Sequence, residues 1–532
     1  MGLDVQIVRE SHFEREVLVF KDRPRTLWET LVNTENNFAH KEAIVFGKTR
    51  LTYKGFTQLC RNTAAFLSQE WDVEHGDRIA LFTNNCIEFC IGVYAAAKLG
   101  AVVVPVNARF GSAEVKYVLS NSETSVLIAE PELLKEVVEP IMPELPLLKH
   151  VVVTSDTRVN NAVPFKLMSN YLNFEESEVN VNEDDAAFIM YTSGTTGIPK
   201  GAVGTHLNMI HSMMNYNNIM ETTHEERTLI CVPLFHVTGF IAQLLHIIYA
   251  GGTVVLMTRY KTDLFTKLMD DERISYIIVV PTIYVFLVNY MRANPEYKLP
   301  KFKIAAYGGA PMAPATIKEL SALLPGIRLF NAYGATETSS GPTTLLTPDV
   351  ALNMSESVGK PVPVAECKVV DETGEEVPRG TAGELWIKGP IVIPGYWKNN
   401  DANIQNFTNG YWHSGDIAKM DDECYIYIMD RKKDMINRGG EKIFSVEVEE
   451  VLYRHPKVLE VAIVGVPDEV FGEEVKAVIV PKPDQQVDDE EIRAFVASNL
   501  AEYKVPKFVE ILAELPRNPG GKVLKSQLRY KP

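Results

Sequence analysis

Residues 1 to about 185 switch repeatedly between helical and strand-like spacing of their apolar positions. Tyr53 to Glu70 carries the helical period, and Arg78-Ile79-Ala80-Leu81-Phe82 is a short apolar run that reads as a strand. Cys86 to Leu99 is helical again, Gly100 stands where that helix should close, and Ala101-Val102-Val103-Val104-Pro105-Val106 predicts the next strand. This βαβ rhythm implies a parallel sheet with helices on both faces. Further on, Ala186-Ala187-Phe188-Ile189-Met190 predicts a buried strand. Tyr276 to Val288 predicts a strand running into a helix at Pro281, and it is too short to cross a bilayer. Residues 341–430 change texture, with short strands such as Ala365 to Val370 and Glu384 to Ile387 between Gly/Pro turns. The last hundred or so residues contain the strands Val461 to Val466 and Lys476 to Val480. The expected fold is α/β. It comprises a large N-terminal domain, residues 1–430, of doubly wound α/β subdomains with a small β subdomain at about 341–430, then a small α+β C-terminal domain, residues 431–532.

Composition narrows the class. A chain of 532 residues suggests two to four compact units, and 46% hydrophobic with 23% charged residues excludes wholesale disorder. The six cysteines are scattered without disulfide or zinc spacing; Cys86 and Cys90, on one helix, read as packing residues. The N-terminus lacks the cationic and apolar regions of a secretory signal, and Gln6 stands where myristoylation needs Ser or Thr. The expected location is cytoplasmic, with no integral membrane segment. A net charge of −16 disfavours nucleic acid. From Arg431 onward 17 Lys and Arg face 18 Asp and Glu, leaving 36 against 51 of the chain's 53 and 69 for residues 1–430. An anionic ligand must therefore be held by a few placed cations.

Tyr191-Thr192-Ser193-Gly194-Thr195-Thr196-Gly197-Ile198-Pro199-Lys200-Gly201 supplies such a cation. It packs four small hydroxyl side chains, three glycines and a lysine into eleven residues directly after a predicted strand. Glycines let backbone N–H groups converge on an anion, hydroxyls add donors, and a lysine can follow a leaving phosphate. The nucleoside-triphosphatase pattern G-x-x-x-x-G-K-[ST] fails here, because Pro199 and Gly201 occupy its second glycine and its Ser/Thr. The stretch instead resembles, without gaps, the T-S-G-T-T-G-x-P-K-G signature of the adenylate-forming superfamily, which includes acyl-CoA synthetases, amino-acid adenylation domains and luciferases.

Further motifs follow in that family's order. Val232-Pro233-Leu234-Phe235-His236 matches P-[LM]-[FY]-H, which implies that His236 is a gate where nucleotide, acyl and thiol sites meet. Tyr307-Gly308-Gly309-Ala310-Pro311 ends a strand in a Gly-Gly turn flat enough for adenine. Asn331-Ala332-Tyr333-Gly334-Ala335-Thr336-Glu337 matches Y-G-x-T-E. The resemblance implies adenine contacts from Asn331 and Tyr333, a phosphate contact from Thr336, and Mg²⁺ on Glu337. Ser414-Gly415-Asp416 implies a ribose-binding carboxylate at Asp416. In the run from Asp430 to Ile443, Asp430 becomes the hinge of a mobile C-terminal domain and Arg431 a second ribose or phosphate contact. Arg438, Gly439, Gly440 and Glu441 become the coenzyme A loop. Ser445 is expected to cap the helix that follows. Spacing from Pro516 matches P-x-x-x-x-G-K, which makes Lys522 the lysine that contacts carboxylate and α-phosphate.

The resemblance covers about residues 25 to 530 and implies an enzyme using ATP, Mg²⁺, a small carboxylic acid and coenzyme A. An acyl-adenylate and pyrophosphate form first, and a thiol then displaces AMP. The implied acyl pocket draws on Val237, Gly239, Phe240, Tyr307, Gly309 and Ser339, with Gly239 and Gly309 leaving room and no counter-charge for a second carboxylate. An amino acid is disfavoured, since Phe235-His236 stands where amino-acid-activating relatives carry an aspartate. A medium- to long-chain fatty acid is the expected substrate, with an aryl acid or a carrier-protein thiol acceptor as alternatives. A nucleotide-binding sensor without turnover would not need Lys200, Glu337 and Lys522. A homodimer is one assembly the resemblance allows.

Overall fold

The computed structural model describes residues 5–156, 158–160, 162–172, 179–192, 199–310, 312–341, 343–351, 353–517 and 523–530. The chain divides into a larger unit, Met1–Cys367 with Ile387–Trp412, and a smaller one, Lys368–Trp386 with His413–Pro532.

The alternating pattern of the first 185 or so residues produces the expected elements. The helix Tyr53–Trp71 opens on Thr52, whose side chain accepts the Gly55 N–H. Arg78–Phe82 is a strand, and the helix Ile87–Leu99 closes on Gly100 in the left-handed region at φ 67°. Cys86 and Cys90 are buried, and burial pushes both thiols up. These strands belong to an eight-stranded sheet. Its order is Gly395–Tyr396, Lys200–Thr205, Ala186–Thr192, Val102–Pro105, Arg78–Phe82, Val126–Ala129, His150–Val153, Val163–Pro164. Pairing is parallel from Ala186–Thr192 to the last strand and antiparallel at the first two steps.

The larger unit also holds a two-stranded sheet, Ile7–His12 with Arg15–Phe20, and a nine-stranded sheet in the order Lys360–Pro361, Thr344–Leu346, Arg328–Tyr333, Ile304–Gly308, Tyr276–Val279, Arg227–Ile230, Thr253–Leu256, Glu42–Phe46, Thr49–Thr52. Its middle strands are parallel and their apolar runs are buried, as strands covered on both faces must be. Pro281 opens the helix Pro281–Ala293 directly after Tyr276–Val279, as the sequence implied. In the 341–430 stretch, Thr344–Leu346 and Lys360–Pro361 extend the nine-stranded sheet and Gly395–Tyr396 the eight-stranded one, while Glu366–Val370, Gly383–Lys388, Tyr411–Met420, Phe407–Thr408 and Ile426–Arg431 form a five-stranded sheet of their own.

The smaller unit contains a sheet in the order Glu441–Ile443, Ile436–Arg438, Gly472–Pro481, Val458–Asp468, with Phe508–Ile511 parallel to Gly472–Pro481. Helices Ser445–Tyr453 and Asp489–Ala497 bury Val448, Leu452, Ile492 and Val496 in the core of that sheet. Asp416 to Met420 pairs antiparallel with Ile426–Arg431.

One buried side chain ties the two sheets of the larger unit together. Asn85, just after Arg78–Phe82, donates its amide to the carbonyls of Ile230 (3.3 Å), Val232 (3.0 Å) and Met257 (2.9 Å), and accepts the Leu234 N–H at 2.8 Å. Those four groups sit at the ends of two nine-stranded-sheet strands and in the loop leading to His236. Asn85→Ala takes this partner from all four groups in a dry interior, and is expected to cost about 3 kcal/mol in urea unfolding monitored by fluorescence. A loss under about 1 kcal/mol would show that the knot is dispensable.

Candidate functional site

Ala186–Thr192 turns back into Lys200–Thr205, with Thr192 opposite Lys200 in the ladder. Ser193, Gly194, Thr195, Thr196 and Gly197 lie outside the described residues. The stems of their loop are fixed: Tyr191 donates its hydroxyl to Asn121 at 2.7 Å, Tyr117 to the Pro199 carbonyl at 3.1 Å, and Thr192 to the Lys200 carbonyl at 3.4 Å. Lys200 Nζ lies 5.2 Å from the centre of the Tyr396 ring. An aromatic face attracts a cation without cancelling its charge, so the lysine stays available to an anion. The Tyr396 hydroxyl donates to Glu337 Oε1 at 3.0 Å, and the Glu337 carbonyl accepts the Ile393 N–H at 3.0 Å. Tyr396 thus joins the lysine of one motif to the carboxylate of another. Sequence reasoning missed it; the Gly395-Tyr396-Trp397 run was the available signal.

The two motifs expected to hold adenine end neighbouring parallel strands. Tyr307 pairs with Asn331 and Gly308 with Ala332, so both motifs leave the same edge of the nine-stranded sheet together. Ligands in such sheets bind at the carboxyl ends of strands. Gly308 must be glycine, because a Cβ would collide with the Ala332 carbonyl, and Gly309 has φ +76° with open space around it. Ala310 is exposed and Pro311 lies outside the described residues. Asn331 is buried and gives its amide to the Ser357 carbonyl at 3.2 Å. After Tyr333 and Gly334, Thr336–Thr338 forms a single 3₁₀ turn, held by the Ala335 N–H on Thr338 Oγ1 at 2.8 Å. Glu337 on that turn is half-buried. A half-buried carboxylate is a hard oxygen ligand of the kind Mg²⁺ takes, so the chemistry of this residue suits that ion.

His236 ends the loop after Arg227–Ile230 and starts Val237–Gly239, which passes into the π-helical turn Phe240–Leu245 and then His246–Ala250. A π turn of this kind is common at functional sites. Gly239 corrects an expectation. A Cβ there would lie 2.5 Å from the Pro233 carbonyl, so that carbonyl fills the space, and this glycine leaves no room for a substrate. Gly309 does remain open. Phe240 and Tyr307 are fully buried, and Tyr307 belongs to the apolar core with Tyr284 and Val279. Val237 is half-buried and Ser339 fully buried.

The remaining predicted residues lie in the smaller unit. Asp416 and Arg431 face each other across paired strands, with Arg431 Nε 2.8 Å from Asp416 Oδ1. Asp430 is buried and accepts hydrogen bonds from the Arg431 N–H (2.7 Å), the Ser445 hydroxyl (3.0 Å) and the Ser445 N–H. The expected cap is thereby corrected: Phe444 is the N-cap residue, Ser445 is the first residue of the helix, and the Asp430 carboxylate takes its free N–H. Burial pushes the Asp430 carboxyl up, against Lys525 and these donors, which pull it down. Lys525 itself binds Ser445 Oγ at 2.7 Å and Glu449 at 2.7 Å. Arg438 is engaged by Glu474 through Nε (2.8 Å) and a second nitrogen (3.0 Å), and lies 4.0 Å from the Phe471 ring centre. Gly439 and Gly440 have φ of 60° and 97°, and Glu441 is exposed. Lys522 lies outside the described residues.

Comparison with known proteins agrees with these motifs. The family model described as AMP-binding enzyme matches residues 31–397, and that of the AMP-binding enzyme C-terminal domain matches residues 447–522. The chain is 35% identical over 488 residues to the long-chain-fatty-acid–CoA ligase FadD13 of Mycobacterium tuberculosis, covering 90% of this chain and 93% of that one. It is 34% identical over 503 residues to the oxalate–CoA ligase of Arabidopsis thaliana, covering 94% and 97%. ATP-bound MatB from Rhodopseudomonas palustris superposes with a TM-score of 0.86 at 27% identity, covering 95% and 98%.

His236 supplies a pH test. Its ring reaches solvent yet is crowded by protein, and it lies 4.8 Å from the Phe235 ring. Desolvation, and then repulsion from Arg109, lower its pKa to about 4, a depression that contact with solvent tempers. A histidine held neutral by the fold adds stability that is complete above its unfolded value, about 6.5, and is lost as pH falls toward 4. An NMR titration should place the His236 midpoint below 6.5. A midpoint at or above that value would contradict this environment.

Proposed function

Because the chain belongs to the AMP-binding enzyme family, we propose that it joins a carboxylic acid to coenzyme A through an acyl-adenylate at the strand ends described above. It is an acid–thiol ligase of the acyl-CoA synthetase type. The observation that carries the reading is the chain Lys200, Tyr396, Glu337, which sets a usable cation and a carboxylate side by side at the adenine motifs.

A carboxylate resists attack because its charge repels nucleophiles and oxide is its leaving group. In the proposed first step it attacks the α-phosphate of ATP and pyrophosphate leaves. Lys200, Lys522 and the hydroxyls of Thr192, Ser193, Thr195, Thr196 and Thr336 absorb the developing charge. Mg²⁺ on Glu337 would neutralise phosphate charge when bound. Gly308, Gly309, Ala310, Asn331 and Tyr333 would hold adenine, and Asp416 the ribose hydroxyls. In the second step the thiol attacks the mixed anhydride and AMP departs, with a neutral His236 orienting the reacting groups.

The resemblance supports a division of labour between domains meeting at Asp430. Residues 431–532 would present Lys522 for adenylation and the Arg438 to Glu441 loop for thioester formation. The acid is proposed to have an apolar body, the class that includes medium- to long-chain fatty acids. Support comes from FadD13 and from walls such as Phe240 that carry no charge. The relatives' names span a long-chain fatty acid and oxalate, so family membership alone does not choose among acids.

Lys522→Ala tests the scheme. Pyrophosphate release with acid, ATP and Mg²⁺ is expected to fall by more than about 100-fold, whereas preformed acyl-adenylate is still converted to acyl-CoA at near the original rate. Equal loss of both half-reactions would contradict the division.

A further inference from the structure

The helix His206–Met220 turns a polar stripe toward the turn that carries Ser339. Asn208, Ser212 and Asn215 follow one another at helical spacing on one face. Asn208 donates to the carbonyls of Pro390 (2.6 Å) and Val392 (3.2 Å), and Ser212 donates to the Ser339 carbonyl at 2.9 Å. Tyr216, beside Asn215, donates to the Ser340 carbonyl at 2.5 Å. Each of these three finds a backbone acceptor. Asn215 does not: it is fully buried, and neither its amide nitrogen nor its oxygen has a hydrogen-bond partner among the described residues.

Two more orphans belong to the elements around it. Ser339 is fully buried with an unpartnered hydroxyl, and it and Ser340 hold φ of 52° and 56°, a conformation that non-glycine residues keep only where their surroundings enforce it. Gln243, in the π turn that packs against His206–Met220, accepts the Thr228 hydroxyl on its oxygen at 2.9 Å, and its amide nitrogen has no partner among the described residues. Tyr216 links the two elements, since its hydroxyl meets Ser340 while its ring stacks 5.5 Å from His246, one turn beyond Gln243. Buried donors and acceptors are satisfied in folded proteins with few exceptions, and a run of exceptions at one place calls for a partner. Two of the three elements, the π turn with Gln243 and the turn with Ser339, directly follow His236 and Glu337.

Resting on the acyl-CoA ligase reading above, we propose that Asn215, with Gln243 and Ser339, recognises a hydrogen-bonding group on the acid remote from its carboxylate. The substrate is then an acid whose apolar body bears a hydroxyl or carbonyl oxygen, rather than a plain alkyl acid. Asn215 offers both a donor and an acceptor, as a hydroxyl requires, and no charge, which disfavours a second carboxylate. A site built to pair such an oxygen rejects the analogue lacking it, because the buried polar groups are then left unpaired.

Matched acid pairs test this: decanoate against 10-hydroxydecanoate, and cinnamate against 4-hydroxycinnamate, each measured as kcat/KM for pyrophosphate release with ATP, Mg²⁺ and coenzyme A. At least one oxygenated member should exceed its partner by about 10-fold or more. The near-isosteric Asn215→Leu should collapse or invert that ratio while the KM for ATP and the thermal midpoint hold. Gln243→Leu serves as the second variant should Asn215→Leu fail to fold. Release that favours the plain acids, or a ratio unmoved by either variant, overturns the inference alone and would assign these atoms to internal water. No release with any acid contradicts the ligase reading itself, and this inference with it.

Discussion

The constraint on which the larger unit depends is the pairing of a few buried polar groups where strands end. In the proposed site two separate sheets present their edges to one ligand, and apolar packing alone does not fix their register, because it is non-directional. Asn85 supplies direction: one amide holds Ile230, Val232 and Met257 from the nine-stranded sheet while following a strand of the eight-stranded one. The Leu234 N–H on its oxygen then sets the path of the loop that carries His236. Asn208 and Tyr216 act in the same way on the segments at Pro390 and Ser340. Removing any of these would leave dry carbonyls as well as a looser loop, so structure and site are stabilised by the same bonds.

Charge is handled with similar economy. The chain carries a net −16, and several of its arginines are committed to carboxylates, such as Arg227 to Glu42 and Glu272. Lys200 is treated differently, resting on the Tyr396 ring instead of against an acid. Among the described residues no carboxylate pairs with it, so a positive charge stands at a strand end in an otherwise acidic body. Asp416 and Arg431, and Arg438 and Glu474, are by contrast paired within the smaller unit. Nucleotide or thiol ligands would have to exchange with those partners, which makes the pairs natural places to set affinity.

What the sequence revealed and what it concealed divide along a physical line. Features encoded by short runs were legible: the strand and helix alternation before residue 185, the Gly-Gly turn at Gly308 and Gly309, and the Tyr333 to Glu337 motif. Features made by residues distant in the chain were not. Nothing near Tyr396 announces that it meets Glu337, and nothing near Asn215 announces that it is buried with no partner among the described residues. Local rules also misled where tertiary contacts compete. Ser445 has the chemistry of a helix cap, yet Asp430 accepts the helix N–H instead. Gly239 looks like space, yet the Pro233 carbonyl occupies it. Glycines therefore mark close approach as readily as they mark a pocket.

In the proposed reaction one bond is made to the α-phosphate of ATP at these strand ends. A single-turnover reaction with α-labelled ATP, Mg²⁺ and an acid, run without coenzyme A and then chased with it, tests that directly. The prediction is a labelled acyl-adenylate and unlabelled pyrophosphate that build up before the chase, with the label passing to AMP as acyl-CoA appears. Recovery of the label in ADP, with phosphate released, would place the attack at the terminal phosphate and contradict the assignment of the site.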